Sequence, residues 1–135
     1  MGLDYGERRI GLALSDPLRL TAQPFGVLER VGPRKDANAV GTHVEEQVVD
    51  VLIVGLPLTL DGQEGRAVEA VRLFVERMQR RLPGKKIVLW DERLTTAMAE
   101  RAMIEAGARR DERRRKIDSV AASLILQSWL DANQE

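Results

Sequence analysis

The chain has 135 residues, 44% of them hydrophobic, with 21 basic and 21 acidic side chains. This length predicts one compact domain over residues 1–135 that folds without disulfides. Because the chain has no cysteine and one histidine, thiol catalysis, iron-sulfur clusters and cysteine or multi-histidine zinc sites are excluded, and any metal must be held by oxygen. The apolar stretches are too short for a transmembrane helix and the N-terminus has no signal peptide, so we expect a cytoplasmic protein.

The first part of the chain predicts a β-meander followed by a helix. Met1 to Tyr5 and the alternating segment Ile10 to Leu14 predict a hairpin with one buried face. Thr21 to Arg30 predicts a third, antiparallel strand, in which Pro24 favours an irregular or edge position. Apolar residues at helical spacing then predict a helix from Asp36 to about Val49.

Strands and helices alternate in the rest of the chain. Val51 to Gly55 and Ile87 to Trp90 are apolar runs typical of strands covered on both faces. Helical periodicity predicts three further helices, at Val68 to Leu82, Ala97 to Ala106 and Ile117 to about Ala132. Strands separated by helices pair in parallel through right-handed crossovers. The predicted fold is therefore α/β, with a mixed five-stranded sheet between helical layers.

Acidic residues stand at three informative places in this fold. Asp4 ends the first strand, and Asp91 and Glu92 end the last one, at the edge where open α/β sheets bind ligands. Because successive strand residues face opposite ways, one of the two adjacent acids is expected to point into a shared site. Asp118 falls on the apolar face of the last helix, where an ionised carboxylate needs a partner or a cation.

These positions also have structural explanations. Asp4 suits a turn, and Asp118 suits a cap in the first turn of a helix that begins at Ile117. Against the cap, Ala121 and Ala122 leave space for Asp118 to approach the sheet. Taken together the three acids suit Mg²⁺ or Mn²⁺, since a pair of such ions about 4 Å apart promotes phosphodiester hydrolysis.

Four motifs follow one another over nearly the whole chain. They are Gly2-Leu3-Asp4-Tyr5-Gly6 with Arg9-Ile10-Gly11, Val54-Gly55-Leu56-Pro57-Leu58 with Asp61-Gly62, Asp91-Glu92-Arg93-Leu94-Thr95-Thr96, and Lys116-Ile117-Asp118-Ser119-Val120-Ala121-Ala122. In these motifs the chain resembles the YqgF, or RuvX, family of RuvC-like nucleases with the ribonuclease H fold. The first motif alone also opens actin-like ATPases, but those need two such domains.

The resemblance implies a three-layer α/β/α fold and a nuclease that uses Mg²⁺ or Mn²⁺ on structured nucleic acid. The implied activity is either processing of the 5′ end of precursor 16S ribosomal RNA or Holliday-junction resolution. The implied catalytic residues and metal ligands are Asp4, Glu92 and Asp118. RuvC resolvases carry an acid at the end of the fourth strand, where this chain has Gly55-Leu56-Pro57, so Glu92 is the first choice to replace it, Asp91 the second and Asp61 the third.

Basic and hydroxyl residues near these acids are expected to bind the nucleic-acid backbone: Arg8, Arg9, Arg93, Thr95, Arg113, Arg114, Arg115 and Lys116. Alternatively, Arg93 forms an ion pair with Asp91 or Glu92. The basic run before Asp118 is alternatively a solvated linker. Trp90 and Trp129 are expected in the core, which leaves no stacking platform for single strands and favours duplex or branched substrates.

Two questions stay open at this point. Junction resolution needs a twofold homodimer, whereas trimming an RNA end needs one active site. Leu126 and Leu130 lie outside the main apolar arc of the last helix and offer a dimer seam. The alternative function is a catalytically inert nucleic-acid or protein-binding module on the same fold. Clustered carboxylates argue against that module, because they repel phosphate.

Overall fold

The computed structural model describes residues 1–58, 65–94 and 111–134, with the backbone alone for residues 94 and 111–116. The elements in chain order are β1 (Gly2–Tyr5), β2 (Arg9–Ser15), β3 (Ala22–Glu29), α1 (Pro33–Glu46), β4 (Val51–Leu56), α2 (Arg66–Arg81), β5 (Lys86–Asp91), a 3₁₀ turn (Glu92–Leu94) and α3 (Asp111–Ala132). The predicted helix Ala97 to Ala106 lies outside the described residues.

The five strands form one mixed sheet in the order β3-β2-β1-β4-β5. The pairs β1/β2 and β2/β3 are antiparallel, and the pairs β1/β4 and β4/β5 are parallel. This arrangement confirms the predicted mixed sheet with β3 at its edge. The C-terminal ends of β1, β4 and β5 and the start of β2 meet on one side of the sheet, which we call the carboxyl edge.

Helices cover both faces of the sheet. Leu3, Leu12 and Val54 pack in one core cluster with buried residues of α1 and α2. Ala13 and Ile53 pack in a second cluster with residues of α3. The fold is therefore the predicted three-layer α/β/α arrangement. In the described part of the chain, no helix has the length and apolar character needed to cross a membrane.

Helix α3 buries two leucines that were expected to lie outside its main apolar face. A Cβ on Gly2 would lie 2.7 Å from the Cβ of Leu126 and 2.8 Å from the carbonyl oxygen of Ala122, so α3 sits directly on β1 here. This close approach buries Leu126 and Leu130, which are 2% and 3% exposed. The expected dimer seam at these two leucines is therefore wrong, because both are already packed in the core.

Three helices begin before their predicted first residues, α2 by only two residues, at Arg66. Helix α1 starts at Pro33, whose fixed φ and missing N–H suit a helix start, and it ends at Glu46, shortly before Val48 adopts a φ of +53°. Helix α3 starts at Asp111 instead of Ile117. The basic run that precedes Asp118 is therefore helical and is not a linker.

Candidate active site

Asp4 lies in β1 at the carboxyl edge and is 4% exposed. Gly2, two residues earlier, packs against Leu126 of α3, whereas Leu3 packs in the core shared with α1 and α2. Because side chains alternate along a strand, Asp4 is on the same face as Gly2. Its carboxylate is therefore on the face of the sheet that α3 covers.

Glu92 reaches that face from the end of β5 and is 3% exposed. A Cβ on Gly55 would lie 2.7 Å from Oε1 of Glu92 and 2.7 Å from Cδ1 of Ile125 in α3. The missing side chain of Gly55 thus leaves room for the Glu92 carboxylate beside the end of β4. Although β4 carries no acid in sequence, a carboxylate lies there in space, next to the strand that carries Asp4.

Asp118 lies in α3, seven residues after the helix begins. A Cβ on Gly11 would lie 2.0 Å from the main-chain oxygen of Asp118, so the helix backbone rests on β2 at this point. Gly11 is in turn the Cα partner of Asp4 in the β1/β2 register. This contact brings Asp118 beside the strand of Asp4. The capping explanation is wrong, because Asp118 is two turns away from the helix N-terminus.

Arg9, the first residue of β2, forms an ion pair with Asp118. Its Nε donates to Oδ2 of Asp118 at 2.9 Å, and the two side chains are 14% and 17% exposed. A charge in this half-buried position needs a partner, and the pair satisfies that need. Arg9 was expected to bind nucleic acid, and the structure adds this contact with an acid of the site.

Asp91 and Arg93 form a second ion pair, at the end of β5. Nε of Arg93 donates to both carboxylate oxygens of Asp91, at 3.1 and 3.0 Å, and Nη2 donates to Oδ2 at 2.7 Å. The hydrogen bond from Arg93 holds the pKa of Asp91 below its ordinary value of 3.8, against a smaller opposing effect of burial. Leu89 packs in the α1/α2 core, so by alternation Asp91 faces away from α3.

Other expected site residues are placed only in part. Asp61 and Thr95 lie outside the described residues. Arg8 is exposed in the turn between β1 and β2. Arg113, Arg114, Arg115 and Lys116 are in the first turns of α3, where the backbone alone is described. They therefore precede Asp118 on the same helix.

A clamp formed by Arg30 holds the β1/β2 turn, and no sequence pattern predicted it. Nη1 of Arg30 donates to the carbonyl oxygens of Gly6 at 3.1 Å and Glu7 at 3.2 Å, and the guanidinium lies 4.4 Å from the centre of the Tyr5 ring. Nε of Arg30 contacts the buried Asp36 at 3.4 Å. The clamp fixes the turn that joins Asp4 to Arg9, because cation–π and charge-assisted contacts converge on one side chain.

Gly11 and Gly55 make close contacts at this edge that were not predicted from the motifs that contain them. Each lies inside a strand, and glycine there signals close approach of another group. At Gly11 that group is the α3 backbone, and at Gly55 it is the Glu92 carboxylate. A glycine inside a strand was therefore the sequence signal that could have predicted each of these two contacts.

The donor atoms of this edge fit a hard divalent cation. Asp4, Glu92 and Asp118 offer carboxylate oxygens, the ligands that Mg²⁺ and Mn²⁺ prefer, and Gly55 leaves the space that one of these carboxylates fills. Within residues 1–58, 65–94 and 111–134, however, no three acidic or histidine side chains are gathered closely enough to hold a metal ion as they stand. Asp118 is instead engaged with Arg9.

Comparison with known proteins identifies the family. The family model for RuvX, described as a Holliday junction resolvase, matches residues 1–132. The chain belongs to the RuvX family. Among RuvX relatives, a Myxococcus xanthus protein is 46% identical over 99% of this chain and 88% of its own length. A Roseiflexus relative is also 46% identical, over 99% of this chain and 94% of its own length. Both carry the name "Putative pre-16S rRNA nuclease".

A solved structure supports the fold assignment. Thermus thermophilus RuvC, determined in complex with a Holliday junction substrate, has a TM-score of 0.56 and 13% sequence identity to this chain. The likeness covers 98% of this chain and 94% of RuvC. At this identity the comparison concerns the fold alone, which is the RuvC-like ribonuclease H fold expected for a RuvX nuclease.

Proposed function

We propose that this chain is a metal-dependent endonuclease that processes the 5′ end of precursor 16S ribosomal RNA. The single observation that carries the proposal is the space above Gly55, which the Glu92 carboxylate fills. It gives β4 the acid that its sequence lacks, on the same face as Asp4 and beside α3. Three carboxylates from three distant segments on one face of a sheet are hard to explain by stability, because like charges repel.

In this proposal Asp4, Glu92 and Asp118 are the residues that would hold Mg²⁺ or Mn²⁺. When bound, the ions would activate the attacking water and stabilise the leaving oxygen of the phosphodiester. The chain's own contribution is to hold the carboxylates. Gly11 lets α3 approach the sheet with Asp118, Gly55 admits Glu92, and the β1/β2 pairing sets Asp4 opposite Gly11.

The basic residues would supply contacts to the nucleic-acid backbone. Arg8 is exposed beside Arg9 in the hairpin, and Arg113 to Lys116 precede Asp118 on α3. The two groups thus belong to the two elements that bring Asp4 and Asp118 together. Since the chain has no net charge, such a local excess is what would attract a polyanion. Arg93 is a weaker candidate, because its fork is occupied by Asp91.

The names of the relatives favour RNA processing over junction resolution, and the packing of α3 removes the one dimer seam that was expected. Two symmetric nicks need a twofold dimer, and the leucines that offered a seam are buried within the chain. Relatives named for pre-16S rRNA agree with this choice. Junction resolution is the second candidate, since the family model carries that description.

Cleavage of two substrates in parallel tests the proposal. The full chain is incubated with a precursor 16S rRNA fragment and with a four-way DNA junction, each with Mg²⁺, with Mn²⁺ and with excess chelator. We expect metal-dependent cuts at the 5′ end of the RNA by a monomer in sedimentation. Paired symmetric cuts in the junction by a dimer would support the second candidate instead. Binding without cutting of either substrate would favour an inert binding module.

A further inference from the structure

The ion pair between Arg9 and Asp118 has an unusual geometry for an arginine and a carboxylate. It joins residues 109 positions apart in the chain through one hydrogen bond, from Nε to Oδ2 at 2.9 Å. Arginine and carboxylate often meet in a two-point fork, as Arg93 and Asp91 do here. The Arg9 contact is single, so it leaves hydrogen-bonding capacity unused on the guanidinium.

That unused capacity lies at the carboxyl edge. Among the described residues, neither Nη group of Arg9 has a hydrogen-bond partner, and the Arg9 side chain is 14% exposed. A partly exposed guanidinium with unused donors suits the anionic oxygens of a phosphate.

The same guanidinium opposes a metal ion at Asp118. A fixed positive charge bound to a carboxylate repels a divalent cation that would share that carboxylate, and even the screening of water leaves a repulsion worth about a tenfold change in affinity.

Building on the proposed function, we infer that Arg9 couples metal binding to binding of the nucleic-acid backbone. In the free protein Arg9 is the counter-ion of Asp118 and keeps metal affinity low. A backbone phosphate that binds the Nη groups neutralises Arg9 and so lowers the repulsion on the metal. By thermodynamic reciprocity, metal and nucleic acid then bind cooperatively, and the charge of Arg9 is the source of the coupling. The device would load metal preferentially when substrate is present.

The first test measures Mn²⁺ binding to the free, full-length chain, with free Mn²⁺ counted by its electron paramagnetic resonance signal. We expect Arg9→Met to bind Mn²⁺ about tenfold more tightly than the natural chain. Arg8→Met, which removes the same charge from the exposed neighbour in the same turn, should change this affinity less than twofold. Equal or weaker Mn²⁺ binding by Arg9→Met would overturn the inference and make Arg9 a residue that merely orients Asp118.

Arg9→Gln is the second variant, and it guards against misfolding of Arg9→Met. The glutamine amide keeps a donor for Asp118 and removes the charge, so it too should bind Mn²⁺ more tightly. If Arg9→Met does not fold, the affinity of Arg9→Gln decides the question by itself. Unchanged affinity in a folded Arg9→Gln chain would contradict the charge argument.

The second test measures the coupling from the other side. Fluorescence anisotropy of a labelled duplex RNA gives its affinity with and without Ca²⁺, used as an oxygen-liganded ion in place of Mg²⁺. The natural chain should bind the RNA severalfold more tightly with Ca²⁺, and Arg9→Met should lose most of that gain. An equal gain in both chains would contradict the inference.

Failure of the inference and failure of the proposed function are distinguishable. If the natural chain cleaves RNA with metal but Arg9→Met shows no rise in Mn²⁺ affinity, the nuclease stands and the coupling is wrong. If Arg9→Met binds Mn²⁺ more tightly but the natural chain cleaves neither RNA nor junction, the charge effect stands and the proposed activity is wrong.

Discussion

The main-chain oxygen of Asp118 lies 2.0 Å from where a Cβ of Gly11 would be, so no side chain fits between α3 and β2 at this point. Gly11 is also the register partner of Asp4. One glycine thus sets the distance between the strand of one acid and the helix of another. The approach of α3 to the sheet is therefore a requirement of the site as well as of the core.

Gly11→Ala should consequently damage both fold and site. The new methyl group meets backbone, which cannot rotate away, so α3 must shift and the free energy of unfolding should fall by about 3 kcal/mol. Cleavage should fall with it. Urea denaturation measures the change, and Gly26→Ala in the neighbouring strand β3 is the control, since a Cβ there meets nothing within 4 Å. Equal stability of the two variants would refute the contact.

Gly55→Ala should separate activity from stability. Its Cβ meets Oε1 of Glu92 and Cδ1 of Ile125, which are ends of side chains and can move. We expect a stability loss of about 1 kcal/mol, but a fall in kcat of at least about tenfold because the carboxylate is displaced. Single-turnover kinetics and thermal melts on the same preparation measure both. Full activity in this variant would show that the Glu92 position above β4 is not used.

The Asp91–Arg93 pair predicts a pH dependence of stability. The folded pKa of Asp91 lies below the ordinary 3.8, so the pair stabilises the fold above that pH and the effect is lost as pH falls through the lowered pKa. Asp91→Asn should melt at a slightly lower temperature than the natural chain at pH 7. The loss in free energy of unfolding should be less than about 1 kcal/mol, because the pair is partly exposed. The two melting curves should converge in acid. A constant difference at all pH values would contradict the charge effect.

Much of the fold was predictable because its periodicity is strong. The alternation of Ile10 to Leu14 and the apolar run from Val51 to Gly55 marked strands that the structure contains. The start of α3 was missed because all residues from Arg109 to Lys116 are charged, so no apolar periodicity marked the helical part of this segment. The buried face of α3 was misjudged at Leu126 because Gly2, far away in sequence, determines how the helix sits.

Of the candidate site, only the acids that are informative by their own place in the chain were predictable from the sequence. Asp4 and Asp118 stood where a fold of this type makes acids informative, and the structure brings both to the α3 face. The preference for Glu92 over Asp91 needed the resemblance, and its physical reason, the space at Gly55, is a contact between distant residues. The Arg30 clamp on the β1/β2 turn is likewise a long-range contact that no local pattern signals.

Replacing Arg113, Arg114 and Arg115 together with alanine should weaken nucleic-acid binding on all sequences alike. These residues occupy the first turns of α3, ahead of Asp118. Each phosphate contact contributes about 0.9 to the slope of log affinity against log salt on duplex DNA and less on single strands. The slope should therefore become shallower by about 2 to 3 in a salt titration of binding if all three reach phosphates. An unchanged slope would show that these three arginines do not contact phosphates and would leave Arg8 and Arg9 as the candidate contacts.

Cleavage of a precursor 16S rRNA fragment with Mg²⁺ by the natural chain and by Asp118→Asn, with melting curves of both, shows whether Asp118 acts in a nuclease site. The asparagine oxygen can still accept the hydrogen bond from Arg9, so we expect a folded variant whose melting temperature drops by a few degrees. Its cleavage should fall by at least about a thousandfold, since the proposed metal ligand has lost its charge. A folded Asp118→Asn chain that cuts at the natural rate would show that cleavage does not use Asp118.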